Sequence, residues 1–273
     1  MPNSEHRAYL RYVALGDSQT EGLGDGDDTL GHRGFADRLA EHLAAVEPRL
    51  RYANLAVRGR VAAQVHAEQL APALAMEPDL ASVVCGVNDV LRPSFDAART
   101  VGHLESIFAA LTEAGAQVVT VTFPDIGRIA PLARPLRPRV FELNDLIRAA
   151  AERHGVAVAE TGREAVGSDP RLWAVDRLHA SPLGHERIAA ALAHSLRLPG
   201  SDRGWADPLP PPPPVAGLRT AVDEARWLAG FLGPWLGRRL RGRSSGDGRT
   251  AKRPELLPMD GYQVDGYEVG GTA

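Results

Sequence analysis

The 273-residue chain predicts an α/β protein: a three-layer α/β/α sandwich around a five-stranded parallel sheet. Three observations predict it. Five short apolar runs, each bounded by Gly, Pro, Asn or Asp, have the continuous hydrophobicity of strands buried on both faces. Segments with apolar residues three or four positions apart lie between them, which is the period of a half-buried helix. The two patterns alternate, and alternating β and α elements of this length build a parallel sheet with helices on both faces. Right-handed crossovers then leave few topologies.

The elements follow in order. "RYVAL" at 11–15 is the first strand. In "GFADRLAEHLAAV", Phe35, Leu39, Leu43 and Val46 mark one helical face. "RYANLAV" at 51–57 and "DLASVVC" at 79–85 are the second and third strands. In "VGHLESIFAALTEAG", Val101, Leu104, Ile107, Phe108 and Leu111 repeat with helical spacing, and Gly115 is the stop. "AQVVTVTF" at 116–123 is the fourth strand and "VAVAE" at 156–160 the fifth. "RVFELNDLIRAAAERHG" and "SPLGHERIAAALAHSL" supply two more helices. In such sheets reactive groups collect at the carboxyl ends of the strands, here the loops after residues 15, 57, 85, 123 and 161.

This pattern ends near residue 199, so residues 1–199 form the predicted domain. Residues 200–216, with "DPLPPPPPVA" at 207–216, read as a stiff polyproline linker. Residues 217–243 carry an amphipathic helical pattern, with Trp227, Phe231 and Trp235 followed by Arg238, Arg239, Arg241 and Arg243. Two readings stand for it: a helix docked on the domain, or a peripheral membrane contact with the arginines on anionic lipid. Residues 244–273, rich in Gly, Ser and Arg at their start, read as a flexible tail.

The net charge of −3 gives no reason to expect a nucleic-acid partner. The single cysteine, Cys85, excludes an internal disulfide and reads as a small buried residue. Neither a secretory signal nor a bilayer-spanning apolar run is visible, so a cytoplasmic enzyme is the expectation. No P-loop, Gly-x-Gly-x-x-Gly or Gly-x-Ser-x-Gly motif occurs, and no cofactor or metal is expected.

Three motifs fall at strand ends. Ser18 follows the first strand in "LGDSQTEG", Gly59 the second in "NLAVRGR", and Asn88 the third in "CGVNDV". A fourth, "VDRLHAS", sets Asp176 three residues before His179. A serine hydroxyl becomes a useful nucleophile when a base accepts its proton. Imidazole titrates near neutral pH and suits that task, and Asp176 could orient the ring. A carbonyl under attack develops negative charge on oxygen, which the Asn88 amide and the Gly59 and Ser18 N–H groups could receive. Each motif taken alone reads as a turn or a helix cap; their convergence on one sheet edge points to acyl transfer. Asp17 and Asp89 read as supports for the loop backbone. His185 reads as a residue in the first turn of the last helix, and the remaining histidines as surface or helix-packing residues.

These residues resemble the SGNH, or GDSL, hydrolases. Gly16-Asp17-Ser18 matches the first block of that family, Gly59 the second, Gly86-Val87-Asn88-Asp89 the third and Asp176-Arg177-Leu178-His179 the last. The resemblance covers about residues 8–198. It implies a flavodoxin-like fold, a Ser18-His179-Asp176 triad without a metal, and an oxyanion hole from Ser18, Gly59 and Asn88. The implied activity is cleavage of carboxylic esters, of small molecules, lipids or carbohydrates, through an acyl-Ser18 intermediate. An acyltransferase using the same triad and a catalytically silent binding module are the alternatives. The first block departs from the usual pattern at Gln19, where leucine or isoleucine is commoner.

Overall fold

The computed structural model describes residues 8–211, 230 and 245–259. Five parallel strands appear where the apolar runs predict them: β1 (Arg11–Gly16), β2 (Arg51–Asn54), β3 (Leu80–Val84), β4 (Gln117–Val121) and β5 (Ala157–Ala159). A sixth, β6 (Arg253–Pro258), joins the same sheet, giving the order β5-β4-β3-β1-β2-β6. The parallel strands therefore run 2-1-3-4-5, the flavodoxin-like order, whose switch point lies beside β1. Five longer helices cover the sheet: α1 (Phe35–Val46), α2 (Ala62–Ala75), α3 (Ala97–Glu113), α4 (Arg137–His154) and α5 (Pro182–Ser195). α1 packs with α5, while α3 packs with both α2 and α4, which completes the two outer layers.

Strands β1 and β3 are buried almost throughout, which explains why their sequences lack alternation. Register places Tyr12 beside Tyr52, and their rings stack with centroids 5.1 Å apart. The Tyr12 hydroxyl shares a 2.7 Å hydrogen bond with Ser82 Oγ, so the polar tip of this core aromatic is satisfied.

Two expectations are corrected, and one helix lies where no pattern predicts it. First, the sheet has six strands rather than five. β6 runs antiparallel to β2, with Tyr52 opposite Leu257 and Asn54 opposite Arg253. Residues 253–258 are thus part of the domain, not of a flexible tail. Pro254 and Pro258 suggest a non-strand, yet an edge strand tolerates proline because one side of its ladder has no partner. Side chains fix the strand further: Arg253 Nε donates to Tyr52 O at 2.8 Å, and its guanidinium lies over the Tyr52 ring. Lys252 Nζ lies 2.6 Å from Asp37 Oδ2, a carboxylate with no exposed surface.

Second, the domain does not stop at residue 199. Trp205 packs into the core, and Arg171 Nη1 donates to Pro210 O at 2.6 Å. Third, α2 is a helix that the apolar spacing does not announce. Its sequence "AAQVHAEQLAPALA" has little contrast between faces and carries Pro72, yet Ala62, Val65, Gln69 and Ala73 form a buried stripe. The amphipathic pattern of 217–243, with its possible membrane contact, and the Pro212–Ala216 part of the linker fall outside the described residues, Gly230 apart. No described helix is long and apolar enough to cross a membrane.

Candidate active site

The strand carrying the serine is held at its end by a buried amide. Gly16 N donates to Gln69 Oε1 at 2.8 Å, and Gln69 Nε2 donates to Gly16 O at 2.8 Å. Gly16 has to be glycine, since an added Cβ would lie 2.2 Å from Thr20 Oγ1 and 2.3 Å from Val84 O. The chain then turns into a four-residue helical segment, Ser18–Glu21, capped by Asp17, whose Oδ1 accepts from Gln19 N at 3.2 Å. Ser18 opens that turn and is largely buried.

The other three motifs are tied to this turn by side chains. Glu21 accepts from Arg58 N at 2.7 Å and from the Arg58 guanidinium at 2.9 and 2.5 Å, a buried pair that holds the loop containing Gly59. Gly59 has φ +78, a conformation suited to glycine. Asn88 Nδ2 donates to Asp17 Oδ2 at 3.1 Å and to Arg60 O at 3.0 Å, so it joins the first and second motifs. Asp89 Oδ2 accepts from Ala62 N at 3.0 Å, at the start of α2.

The loop with Asp176 and His179 is internally braced. His179 Nδ1 lies 2.6 Å from Asp176 Oδ2, while Asp176 Oδ1 accepts from Leu178 N and His179 N, each at 3.0 Å. A bridge between Trp173 and Ala180 and the Ala174 N to His179 O bond at 2.8 Å close the loop. Gln19 then reaches across: its Nε2 donates to Leu178 O at 2.8 Å, and its Oε1 accepts from Ala180 N at 3.2 Å. Ser18 Oγ and His179 are not hydrogen-bonded to each other. Such contacts are often long before substrate binds and tighten in the Michaelis complex.

Burial sets the electrostatics. It pushes the Asp17 carboxyl up to about 7, against the opposing pull of the Gln19 N–H and the His179 and Asn88 side chains. Burial raises Asp89 as well. Burial also presses Asp176 upward, but the His179 ring and the two backbone N–H groups outweigh it and leave the group below the usual carboxylate range. The aspartate beside His179 is therefore the one held ionised, and the aspartate beside Ser18 is the one that titrates near neutrality.

The other histidines largely follow their sequence reading. His185 lies in α5 and is fully buried, accepting from Phe35 N at 3.1 Å and pairing with Leu23 O at 2.9 Å. Burial lowers it to about 4, so it is a neutral core residue. His32 meets Asp28 and Arg58, and His66 and His103 lie 3.3 Å apart on neighbouring helices. Asp25 is buried and paired with Arg38 at 2.5 Å. Among the described residues no group of three or more His, Cys, Asp and Glu side chains could hold a metal ion. An apolar cleft touches the base loop at Trp173 and Ala180, with Trp205 on its wall, but Ser18 does not line it.

Sequence reading missed Glu21, Arg58 and Gln69 as site-builders, since each acts on a residue distant in the chain and nothing local marks it. Gln19 stood out as a departure from the family pattern, but its contacts across the site did not.

A flavodoxin-like sheet with a serine turn at its switch point defines a class of hydrolases. Residues 14–187 match the GDSL-like lipase/acylhydrolase family, and the chain belongs to it. It is an ester hydrolase. A comparison with curated proteins returns no match. Among solved structures, an α/β hydrolase enzyme from the metagenome of Lake Arreo, Spain, is 24% identical, with a TM-score of 0.58, covering 69% of this chain and 95% of its own. Two catalytic mutants of an acetylxylan esterase from Geobacillus stearothermophilus are each 21% identical, with TM-scores of 0.59. They cover 72% and 73% of this chain, and 96% and 97% of their own.

Proposed function

We propose that the protein hydrolyses carboxylic esters of small molecules or carbohydrates through an acyl-Ser18 intermediate. One observation carries the reading: the 2.6 Å bond between Asp176 and His179, in a loop hydrogen-bonded by Gln19, the residue next to Ser18. Asp176 orients the ring and favours the proton on Nδ1, leaving Nε2 as the base.

In the first half-reaction Ser18 Oγ attacks the ester carbonyl carbon and its proton passes to His179 Nε2. The carbonyl π pair moves to oxygen, where Ser18 N–H, Gly59 N–H and Asn88 Nδ2 stabilise it. Asn88 turns an N–H from Asp17 to this oxygen, and the neutral form of Asp17 accessible near pH 7 weakens the bond that must be exchanged. Collapse expels the alcohol, which takes the proton from His179. Water, deprotonated by His179, then attacks the acyl carbon, and Ser18 leaves with its proton restored. Small acyl groups on sugars are the first substrates to try, because acetylxylan esterases share the fold.

The test is turnover of p-nitrophenyl acetate and acetylated xylo-oligosaccharides by wild type and Ser18→Ala, with mass spectrometry after treatment with a fluorophosphonate. The expected results are a loss in kcat of at least about 10³-fold and a single adduct on Ser18. Unchanged turnover in Ser18→Ala defeats the mechanism.

A further inference from the structure

We propose that Gln19 is a positioning residue that keeps the His179 loop in register with the nucleophile. This rests on the acyl-Ser18 reading and adds to it a part of the machinery at the position where the chain departs from its family's usual leucine or isoleucine.

The geometry is a two-point clamp. One planar amide donates to Leu178 O at 2.8 Å and accepts from Ala180 N at 3.2 Å, so it bonds the peptides on both sides of His179. A primary amide matches a backbone edge in this way because it carries a donor and an acceptor side by side. Braces within the loop and its flanks include Asp176 on Leu178 and His179, Ala174 on His179, and Leu172 on Ser181. These set the shape of the loop. Gln19 hydrogen-bonds to the loop from the position adjacent to the nucleophile. Its own backbone is fixed by Asp17 Oδ1 at 3.2 Å, and β1 behind it is held by Gln69. The placement of the base relative to the serine thereby depends on directed contacts, and a misplacement of about 1 Å can cost 10²-fold in rate.

The chemistry of the clamp makes specific demands. Leucine offers neither bond. Asparagine has both groups but is one methylene short. A glutamate carboxylate accepts from Ala180 N and repels Leu178 O, whereas a protonated glutamic acid restores both contacts.

The experiment measures kcat and KM for p-nitrophenyl acetate, with thermal unfolding, in wild type, Gln19→Leu, Gln19→Glu and Ser18→Ala. The expected result for Gln19→Leu is a fall in kcat of about 10- to 100-fold, with KM within about threefold and an unchanged melting temperature. For Gln19→Glu, kcat relative to wild type rises as pH falls from 8 to 5, because protonation rebuilds the donor to Leu178. Wild-type kcat in Gln19→Leu, while Ser18→Ala is inactive, overturns the clamp and spares the acyl-Ser18 reading. A loss in Gln19→Leu matched by a lowered melting temperature makes the residue structural and also overturns it. Activity surviving in Ser18→Ala defeats the underlying mechanism instead.

Discussion

Replacing Lys252 with methionine tests whether the C-terminal strand is built into the domain. Methionine keeps the apolar stem and removes the charge. Lys252 Nζ sits 2.6 Å from Asp37 Oδ2 and 2.7 Å from His32 O. Asp37 has no exposed side-chain surface, and it also accepts from Gly34 N at 2.8 Å and the Tyr52 hydroxyl at 3.2 Å. Removing one member of a buried pair leaves an uncompensated charge and typically costs 3–5 kcal/mol. Lys252 keeps 19% of its side chain exposed, so water reaches the pair and the lower end applies, about 3 kcal/mol. In a domain of this size each kcal/mol moves the melting temperature about 2–4 °C, so the expected drop is about 6–12 °C. Differential scanning fluorimetry and urea titration read it. The double variant Lys252→Met, Asp37→Asn should lose less than the sum of its parts, since the orphaned charge is gone. A melting temperature within about 1 °C of wild type in Lys252→Met refutes the reasoning and with it the integral role of β6.

Two more expectations concern the site. Asn88→Ala should lower kcat by about 10²- to 10³-fold with little change in KM, as loss of one oxyanion donor does; steady-state kinetics on p-nitrophenyl acetate decide it. The pH dependence of stability has a more particular form. Asp17 rises from 3.8 to about 7 on folding, so the folded state holds an extra proton between those values. Its contribution is present below pH 4 and is lost as pH climbs to 7, about 4 kcal/mol in all. His185 falls from 6.5 to about 4, so its contribution is present above pH 6.5 and is lost as pH drops to 4, about 3 kcal/mol. The slopes oppose each other, and wild type should be nearly flat between pH 4.5 and 6.5 with respect to this pair. Asp17→Asn should unmask the His185 loss on acidification, and urea midpoints measured across pH 4–8 would fail to show it if either group is not buried as described.

Much of the fold was legible because its signals are local. Val13, Val83, Val84, Val118 and Val119 lie in continuous apolar runs whatever surrounds them. The helix at Ala97–Glu113 carries its buried face as a visible stripe from Ala97 to Leu111. Ala62–Ala75 does not, because alanine on both faces erases the contrast and Pro72 argues for a break, yet the helix runs through it to Ala75. Strand β6 was illegible for a different reason. Its identity as a strand comes from the unpaired edge of β2, about two hundred positions away, and not from its own propensity.

The candidate site divides along the same line. By itself the sequence determined which polar groups stand at strand ends, a hydroxyl at Ser18 and an amide at Asn88, and which stand ahead of the last helix, a carboxylate and imidazole three positions apart at Asp176 and His179. Strand ends are set by local hydrophobicity, and the parallel topology gathers them at one edge. Only the tertiary structure decided what each polar group touches. It set Gln19 on both flanks of His179, Glu21 on Arg58, Gln69 on Gly16 and Asn88 on Asp17. It also decided that Asp17 titrates near 7 while Asp176 stays ionised. Burial and distance between residues far apart in the chain govern these properties, and neither exists before the chain has packed.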